Sequence, residues 1–190
     1  MSDANDIEII DRVLSGDIDS FSEIIKKYNN RIFRYAYSKV GNYEEALDIT
    51  QDILVVIFEA LKSFRRESKL STWIYSIMVN YCMNYKKRKE KYSYVSINRI
   101  NGNDEFELQL SDDKQNPEKE TIDSESLRIL KDELYKLPND YKEILILRDI
   151  DGLPYNDIAG ILGVNLSNVK VRIHRGRGLL KKRLVERDLI

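Results

Sequence analysis

The sequence of 190 residues contains little of what several protein classes require. Cys82 is the only cysteine, which excludes an intramolecular disulfide and a zinc cluster built from several cysteines of one chain. Three prolines and eight glycines supply few of the turns that a β-rich fold needs. No apolar run approaches the ~20 residues of a membrane span, and the first residues lack the basic start and apolar stretch of a signal peptide. These absences predict a cytoplasmic, helix-rich protein.

The chain also lacks an excess of charge of either sign, because 31 Lys and Arg residues face 32 Asp and Glu residues. Nucleic-acid affinity depends on cations that neutralise phosphates, so any DNA binding must come from a local cluster of bases. His174 is the only histidine, and no metal-ligand spacing such as His-x-x-x-His occurs. The composition therefore disfavours an enzyme, and we expect no metal and no cofactor.

Apolar residues recur at helical spacing through the first half of the chain. Gly41 ends one long pattern, and Asn42 with Glu45 forms a capping-box-like start for the next helix. Ser71 is the predicted N-cap of a third helix, and a short helix is predicted over residues 7–14. The predicted core faces comprise Phe21, Ile24, Ile25, Tyr28, Ile32 and Tyr35, then Ala46, Ile49, Ile53, Ile57 and Leu61, then Ile74, Ile77, Met78, Tyr81 and Tyr85.

The composition changes in the middle of the chain. Between Asn98 and Glu125 there are nine acidic and three basic residues, and no apolar period persists. Such a composition is typical of an extended or disordered linker. A second helical block begins near Ser124 with a stripe of Leu127, Leu130, Leu134 and Leu137. The sequence therefore predicts an all-α fold of two small helical domains joined by a flexible acidic linker, with boundaries at 1–92, 93–121 and 122–190.

The segment from about Pro154 to about Arg183 has the pattern of a helix-turn-helix. Pro154 suits the first turn of a helix, and Gly163 falls where the tight turn between two helices needs a positive φ. Asn165 is a suitable cap for the second helix. The seam between the two helices is predicted to consist of Ile158, Leu162 and Val169.

The second helix of this pair concentrates the positive charge, since no acidic residue occurs from Ser167 to Val185. A basic run alone would fit a solvated helix packed on an acidic partner. With the turn pattern attached, it favours insertion into the major groove with flanking phosphate contacts. The candidate DNA-contacting residues are Ser167, Asn168, Lys170, Arg172, His174, Arg175 and Arg177. Gly176 and Gly178 are unexpected here, because glycine costs about 1 kcal/mol relative to alanine within a helix.

The first block carries two further polar surfaces. Asp48, Gln51 and Asp52 share a helix face that, taken alone, is the solvated side of an amphipathic helix. Aromatic residues interleaved with bases suit single-stranded DNA, in which exposed bases stack on rings, although part of these aromatics would form core. This second set comprises Trp73, Tyr75, Tyr81, Tyr85, Asn80, Asn84, Lys86, Lys87, Arg88 and Lys89, with Phe64, Arg65 and Arg66 in the preceding loop.

These motifs together resemble the extracytoplasmic-function (group 4) sigma factors, the smallest class of the bacterial σ70 family. The stretch 48–52 (DITQD) is similar to the family segment that docks on the β′ coiled coil of RNA polymerase. The stretch 71–77 (STWIYSI) with Asn80 resembles the helix that recognises and melts the −10 element. Leu137-Pro138, residues 145–153 and residues 169–177 resemble the −35 domain. The resemblance spans about residues 20–92 and 122–185.

The resemblance implies a chain without catalytic chemistry that binds core polymerase through the β′ coiled coil and the β flap, together with promoter DNA and commonly an anti-sigma factor, and no small-molecule substrate. It assigns polymerase binding to Asp48, Gln51 and Asp52. It assigns −10 contacts to Phe64, Arg65, Arg66, Trp73, Tyr75, Asn80, Asn84, Lys86, Lys87 and Arg88. It assigns −35 contacts to Ser167, Asn168, Lys170, Val171, Arg172, His174, Arg175 and Arg177.

One alternative function remains open at the level of sequence. A stand-alone helix-turn-helix regulator with a helical N-terminal domain would also contain this C-terminal pattern. Such proteins normally dimerise on a two-fold symmetric operator. The aromatic and basic residues of the first block favour the sigma factor, because a ligand-sensing domain would have no need of them.

Overall fold

The computed structural model describes residues 3–99 and 123–187, and within these ranges the secondary structure is entirely helical. The chain divides into two compact units, Met1–Lys114 and Gln115–Ile190. The all-α architecture with two helical domains is confirmed. Most of the predicted linker, residues 100–121, lies outside the described residues, whereas its first residues, 93–99, are helical. No described helix is long and apolar enough to cross a membrane.

The described residues of the first unit form four α-helices with short 3-10 turns between them. Its helices are α1 (Asp3–Leu14), α2 (Phe21–Val40), α3 (Tyr43–Ala60) and α4 (Leu70–Arg99), with 3-10 turns at Ile18–Ser20 and Leu61–Ser63. Gly41 ends α2 with a φ of 72°, and the side chain of Asn42 accepts a hydrogen bond of 2.9 Å from the backbone N–H of Glu45. Both predicted helix boundaries are confirmed. They can be predicted from sequence because each depends on local backbone geometry.

The core of the first unit lies between the apolar faces of these helices. Its fully buried side chains include Tyr28, Tyr35, Tyr75, Ile24, Ile32, Ile49, Ile53, Ile57, Ile74 and Met78. Ile25 was predicted to belong to this core, but it is 37% exposed because it lies beside the buried row at positions 21, 24, 28, 32 and 35. Each residue turns 100° around a helix, so a neighbour of a core position leaves the buried stripe.

The predicted start of α4 at Ser71 is wrong by about two residues. The helix begins at Leu70, and the N–H of Trp73 already donates to the carbonyl of Lys69 at 3.1 Å. Leu70 is buried, so its packing draws it into the first turn. Ser71 therefore lies inside the helix and does not cap it.

Within residues 123–187, the second unit contains four short or medium α-helices. These are α5 (Asp123–Tyr135), α6 (Asn139–Leu145), α7 (Tyr155–Leu162) and α8 (Leu166–Val185), with a π-helical turn over Ile146–Ile150 after α6. Gly163 has a φ of 64° and ends α7, and the side chain of Asn165 accepts from the N–H of Asn168 at 2.7 Å. The turn and the cap predicted for the helix-turn-helix are both confirmed. Pro154 lies one residue before α7, and its carbonyl accepts the N–H of Ile158.

The seam between α7 and α8 differs from the prediction at one position. Ile158 and Val169 are completely buried, as predicted. Ile161 is buried as well, whereas Leu162 is only partly buried.

The leucine stripe predicted for α5 is only partly buried, since Leu134 is buried and Leu130 is 37% exposed. The side chain of Leu127 lies outside the described residues.

A buried carboxylate fastens α5 to the end of α8. Glu133 is 1% exposed and accepts hydrogen bonds from Arg183 at 2.8 Å and from Lys136 at 3.0 Å, with Arg187 also at 3.0 Å. The hydrogen bond from Arg183, followed by that from Lys136, lowers the pKa of the Glu133 carboxyl below its ordinary value. Three converging cations offset the cost of burying this charge.

The two unexpected glycines of α8 have different surroundings. A Cβ added at Gly176 would lie 3.2 Å from Leu145 and 3.3 Å from Tyr141, so this glycine lets α8 approach α6 closely. A Cβ added at Gly178 would meet nothing within 4 Å. The packing therefore explains Gly176, and nothing in the structure explains Gly178.

This pair of glycines yields a test of the packing between α6 and α8. Gly178→Ala should raise the free energy of unfolding of the second unit by about 1 kcal/mol, because alanine is the better helix former. Gly176→Ala should lower it by about 1 kcal/mol, since overpacking outweighs the same gain. Urea unfolding of the full chain by circular dichroism measures both, with fluorescence of Trp73 as an unaffected reference for the first unit. Equal stabilisation by both substitutions would contradict the close contact.

Candidate nucleic-acid and partner interfaces

The outward face of α8 is defined by the residues that its opposite face buries. Val169, Ile173 and Gly176 are buried against the rest of the second unit. The predicted DNA-contacting residues therefore lie on the open side or at its edges. Ser167, Lys170, Val171, His174, Arg175 and Arg177 are exposed, and Asn168 and Arg172 are partly buried. All eight predicted −35 residues are thus at or near the surface of one helix.

An open groove of about 600 Å³ runs beside the start of α8. One wall is formed by the first residues of α6, and the other by the N-terminal half of α8. Its lining comprises Pro138, Asn139, Asp140, Tyr141, Asn165, Ser167, Asn168, Val171, Arg172 and Arg175. Five of the predicted −35 residues therefore share a single concave surface.

Ion pairs divide the cations of α8 into two groups. Arg177 forms two hydrogen bonds to the carboxylate of Asp149, and Arg172 lies 3.6 Å from Asp140. The bond to Asp149 raises the pKa of Arg177. Among the described residues, Lys170, His174 and Arg175 have no acidic partner. Lys170 and Arg175 are therefore the unpaired cations among the predicted −35 residues.

The predicted polar face of α3 is fully open to solvent. Asp48, Gln51 and Asp52 are all exposed, because Ala46, Ile49 and Ile53 bury the other side of the helix. Val55, one turn after Asp52 on the same face, is 55% exposed. Sequence reasoning missed Val55, although its spacing from Asp48 and Asp52 places it in the same row.

The outer face of α4 carries a polar and aromatic row that is interrupted by Ile77. Trp73, Asn80, Asn84 and Lys87 follow one another at helical spacing, and the last three are exposed. The ring of Phe64 from the preceding loop packs on Trp73 with 5.1 Å between ring centroids. This contact holds the first residue of the loop against the start of the row. The row is suited to stacking and backbone contacts with a single strand.

The loop from Phe64 to Lys69 holds its two arginines differently. Arg65 is exposed and has no acidic partner among the described residues. Arg66 has a φ of 60° and forms an ion pair with Asp11 of α1. A positive φ is unusual for a residue with a side chain, and the ion pair ties this turn to α1. Arg65 is therefore the more accessible of the two candidates.

Tyr75 does not belong to the surface of α4, which corrects its assignment as a DNA contact. It is 1% exposed, and Ile74, Met78 and Val79 are buried with it in the core of the first unit. The row at positions 74, 75, 78, 79 and 82 is the buried side of the helix. The residue type alone does not indicate whether a tyrosine within an aromatic run faces the core or the solvent. Lys86 and Arg88, assigned with it, are exposed.

Two polar contacts join α3 to α4 beside their buried faces. The hydroxyl of Tyr81 donates to Oδ2 of Asp52 at 2.7 Å, and Lys89 donates to both carboxylate oxygens of Glu45 at 2.7 and 2.8 Å. Burial, followed by the hydrogen bond to Asp52, raises the pKa of Tyr81. The guanidinium of Arg88 lies 5.9 Å from the Tyr81 ring. The predicted polymerase-binding face is thus in direct contact with the helix of the second candidate surface.

Within the described ranges, no group of His, Cys, Asp and Glu side chains is arranged to hold a metal ion. The exposed functional groups are instead cations, amides and rings spread along helix faces. Asp140, beside Arg172, is a further residue that sequence reasoning missed, because no spacing rule links it to a helix that starts 26 residues later.

Both units match known families. Residues 24–92 match the family described as Sigma-70 region 2, and residues 127–180 match that described as Sigma-70, region 4. The ECF RNA polymerase sigma factor SigW of Bacillus subtilis (strain 168) is 34% identical over 182 residues, covering 95% of this chain and 96% of that protein. The ECF RNA polymerase sigma-E factor of Haemophilus influenzae is 30% identical over 183 residues, covering 94% and 95%.

Two solved structures share the fold. CnrH, in complex with the cytosolic domain of CnrY, aligns with a TM-score of 0.63 and 19% identity, covering 94% of this chain and 96% of that chain. The sigma factor RpoE of Bartonella quintana, in complex with the anti-sigma factor NepR, aligns with a TM-score of 0.64 and 23% identity, covering 86% and 96%. At these identities the likeness concerns the fold.

The division of the α8 cations predicts different roles for Arg175 and Arg177. Arg175→Ala should reduce the slope of log affinity for duplex DNA against log salt by about 1, as expected for one lost phosphate contact. Removing the neutral pair with Asp149→Ala and Arg177→Ala together should leave the slope unchanged. Fluorescence anisotropy across a salt series measures both variants, with circular dichroism as the check on folding. A similar loss of slope in the double variant would show that Arg177 itself contacts DNA.

Proposed function

The chain belongs to the extracytoplasmic-function sigma factors of the σ70 family, and from this we propose how its residues share the task of promoter-specific transcription initiation. Proteins of this family bind core RNA polymerase and direct it to promoters through −10 and −35 elements. We assign residues 1–92 to core binding and −10 recognition, 93–121 to the linker, and 122–190 to −35 recognition. The observation that carries the proposal is the presence of regions 2 and 4 in this order, each with an exposed polar helix face.

Core polymerase docks on the exposed face of α3 in this proposal. Asp48, Gln51 and Asp52 supply carboxylate and amide oxygens that accept hydrogen bonds from basic side chains of the β′ coiled coil. Val55 adds an apolar contact at the end of the same row, since it is 55% exposed. Acidic and amide groups around an apolar residue form a surface of the kind that protein interfaces use, with a small apolar centre and a polar rim.

The −10 element is bound by the outer row of α4 and the loop before it. Trp73 and Phe64 form an aromatic contact at one end, and Asn80 and Asn84 present amides along the helix. A base extruded from the duplex would stack on the aromatic pair. Such stacking contributes ~1–3 kcal/mol per base to binding. Lys86, Lys87 and Arg88 then follow the strand backbone. Arg65 supports the same contact from the loop.

The −35 element is read by α8 in the major groove. Ser167, Asn168 and Val171 lie at the N-terminal end of the helix, where a recognition helix contacts base edges. Lys170, Arg172, His174 and Arg175 flank them and supply phosphate or guanine contacts. Arg177 is held by Asp149 and acts in positioning α8.

Further partners follow from the family. CnrH and RpoE were each solved with a protein bound to them, and the partner of RpoE is an anti-sigma factor. We extend this to a bound, inactive state of the present chain with an anti-sigma factor. The −35 domain contacts the β flap of polymerase in the active state. The protein acts in the cytoplasm, where polymerase and promoters are, and it has no catalytic activity or cofactor of its own.

The alternative of a stand-alone regulator on a palindromic operator is not favoured. It would account for the helix-turn-helix of the second unit but not for the match of residues 24–92 to sigma-70 region 2. It also gives no role to the exposed row on α4. A dimeric regulator would also need a self-complementary surface, and no observation on the described units indicates one.

Charge reversal on α3 tests the proposed division of tasks. Asp48→Lys combined with Asp52→Lys should abolish binding to core polymerase, because four units of charge change on a surface that contacts cations. The reciprocal variants Arg172→Ala and Arg175→Ala should reduce promoter-dependent transcription at least tenfold and leave core affinity unchanged. Core affinity is measured by fluorescence anisotropy of labelled protein, and transcription by run-off assays on the same preparations.

The matched control for charge is Glu8→Lys combined with Asp19→Lys, since both carboxylates are exposed and lie outside α3, on α1 and on the 3-10 turn that follows it. These substitutions change the net charge equally and should leave core affinity within a factor of about three. Unchanged core affinity in the Asp48 and Asp52 variant would refute the docking face. Loss of core binding in the α8 variants would refute the division between the two units.

A further inference from the structure

The hydrogen bond between Tyr81 and Asp52 joins the two proposed interfaces of the first unit. Tyr81 lies on α4 between the buried side and the outer row, and its hydroxyl reaches Oδ2 of Asp52 at 2.7 Å. Asp52 belongs to the proposed docking face of α3. Among the described residues, Tyr81 is the one side chain that donates to this carboxylate. The hydroxyl therefore orients a carboxylate that is otherwise solvated.

The neighbouring contact between the same helices has a different electrostatic result. Lys89 binds Glu45 through both carboxylate oxygens and neutralises it. Tyr81 is uncharged, so it fixes the orientation of Asp52 and leaves its negative charge intact. One oxygen, Oδ1, stays available for a cationic partner. A tyrosine hydroxyl is protonated near neutral pH, and burial followed by the hydrogen bond to Asp52 raises the pKa of Tyr81 further.

We propose that Tyr81 is a positioning residue that holds the Asp52 carboxylate in the orientation in which a basic side chain of core polymerase binds it. This inference rests on the proposed docking function of Asp52. An exposed aspartate loses rotamer freedom when a partner binds, at a cost of about 0.5–1.5 kcal/mol per side chain. The hydrogen bond to Tyr81 restricts the Asp52 side chain already in the free protein, so less rotamer freedom is lost when polymerase binds. It also connects the docking face physically to the helix that carries the −10 row.

The substitution Tyr81→Phe isolates the hydroxyl, since the ring that packs between the helices is retained. It should weaken affinity for core polymerase about threefold to tenfold, which corresponds to the rotamer cost above. In an Asp52→Ala background the same substitution should have no further effect. A double-mutant cycle on core affinity therefore gives a coupling that a general loss of packing would not produce.

Tyr85→Phe is the matched control. Tyr85 lies one turn further along α4, and its hydroxyl faces Glu45, which Lys89 already holds with two hydrogen bonds. Asp48 acts on Tyr85 only through its charge, so the Tyr85 hydroxyl does not orient a carboxylate of the docking face. Its removal should change core affinity less than twofold. Urea unfolding of each full-length variant, followed by fluorescence of Trp73, verifies that the first unit remains folded at the temperature of the binding assay.

The possible outcomes separate this inference from the function on which it rests. If Asp52→Ala weakens core binding and Tyr81→Phe does so only in the wild-type background, the positioning role is supported. Equal losses in both backgrounds would overturn it, and so would a gain in affinity, which would mean that Tyr81 competes with polymerase for Asp52. If Asp52→Ala itself leaves core affinity unchanged, the docking assignment fails, and the role of Tyr81 fails with it.

Discussion

Burial of one face on each amphipathic helix is the constraint on which both interfaces depend. In α3, Ala46, Ile49 and Ile53 are completely or almost completely buried, so Asp48, Gln51 and Asp52 on the opposite side face solvent. In α8, Val169 and Ile173 have the same effect on the basic residues. Since a helix is rigid over this length, packing in the core determines the orientation of groups that never enter it. The proposed contacts with polymerase and DNA are therefore consequences of core formation.

The almost neutral net charge of a DNA-binding chain is explained by where its acids lie. Glu133 and Asp149 neutralise cations at the back and the end of α8, and these cations then hold helices together. On the exposed face of α8, Lys170 and Arg175 have no acidic partner among the described residues. A sigma factor divides promoter contacts between two domains and polymerase, so its recognition helix does not need the charge of a protein that holds DNA alone.

Local signals in the sequence were sufficient for the helix boundaries at Gly41, Asn42, Gly163 and Asn165, because a cap or a positive φ depends on adjacent residues. The periodic pattern and the motifs were likewise sufficient for the all-α fold and the family. Tyr75 was misplaced since composition cannot tell a ring that stacks on a base from one that fills the core. The contacts of Glu133 with Arg183, and of Asp52 with Tyr81, join residues far apart in the chain. Only the packing of helices reveals such pairs.

The central claim is that this chain gives core RNA polymerase its promoter specificity. Run-off transcription with purified core polymerase and a library of genomic promoter fragments tests it most directly. Discrete transcripts should appear only when both proteins are present, with start sites downstream of a shared pair of −35 and −10 sequences. Absence of any such transcript, together with a stable dimer of the chain bound to palindromic DNA without polymerase, would contradict it.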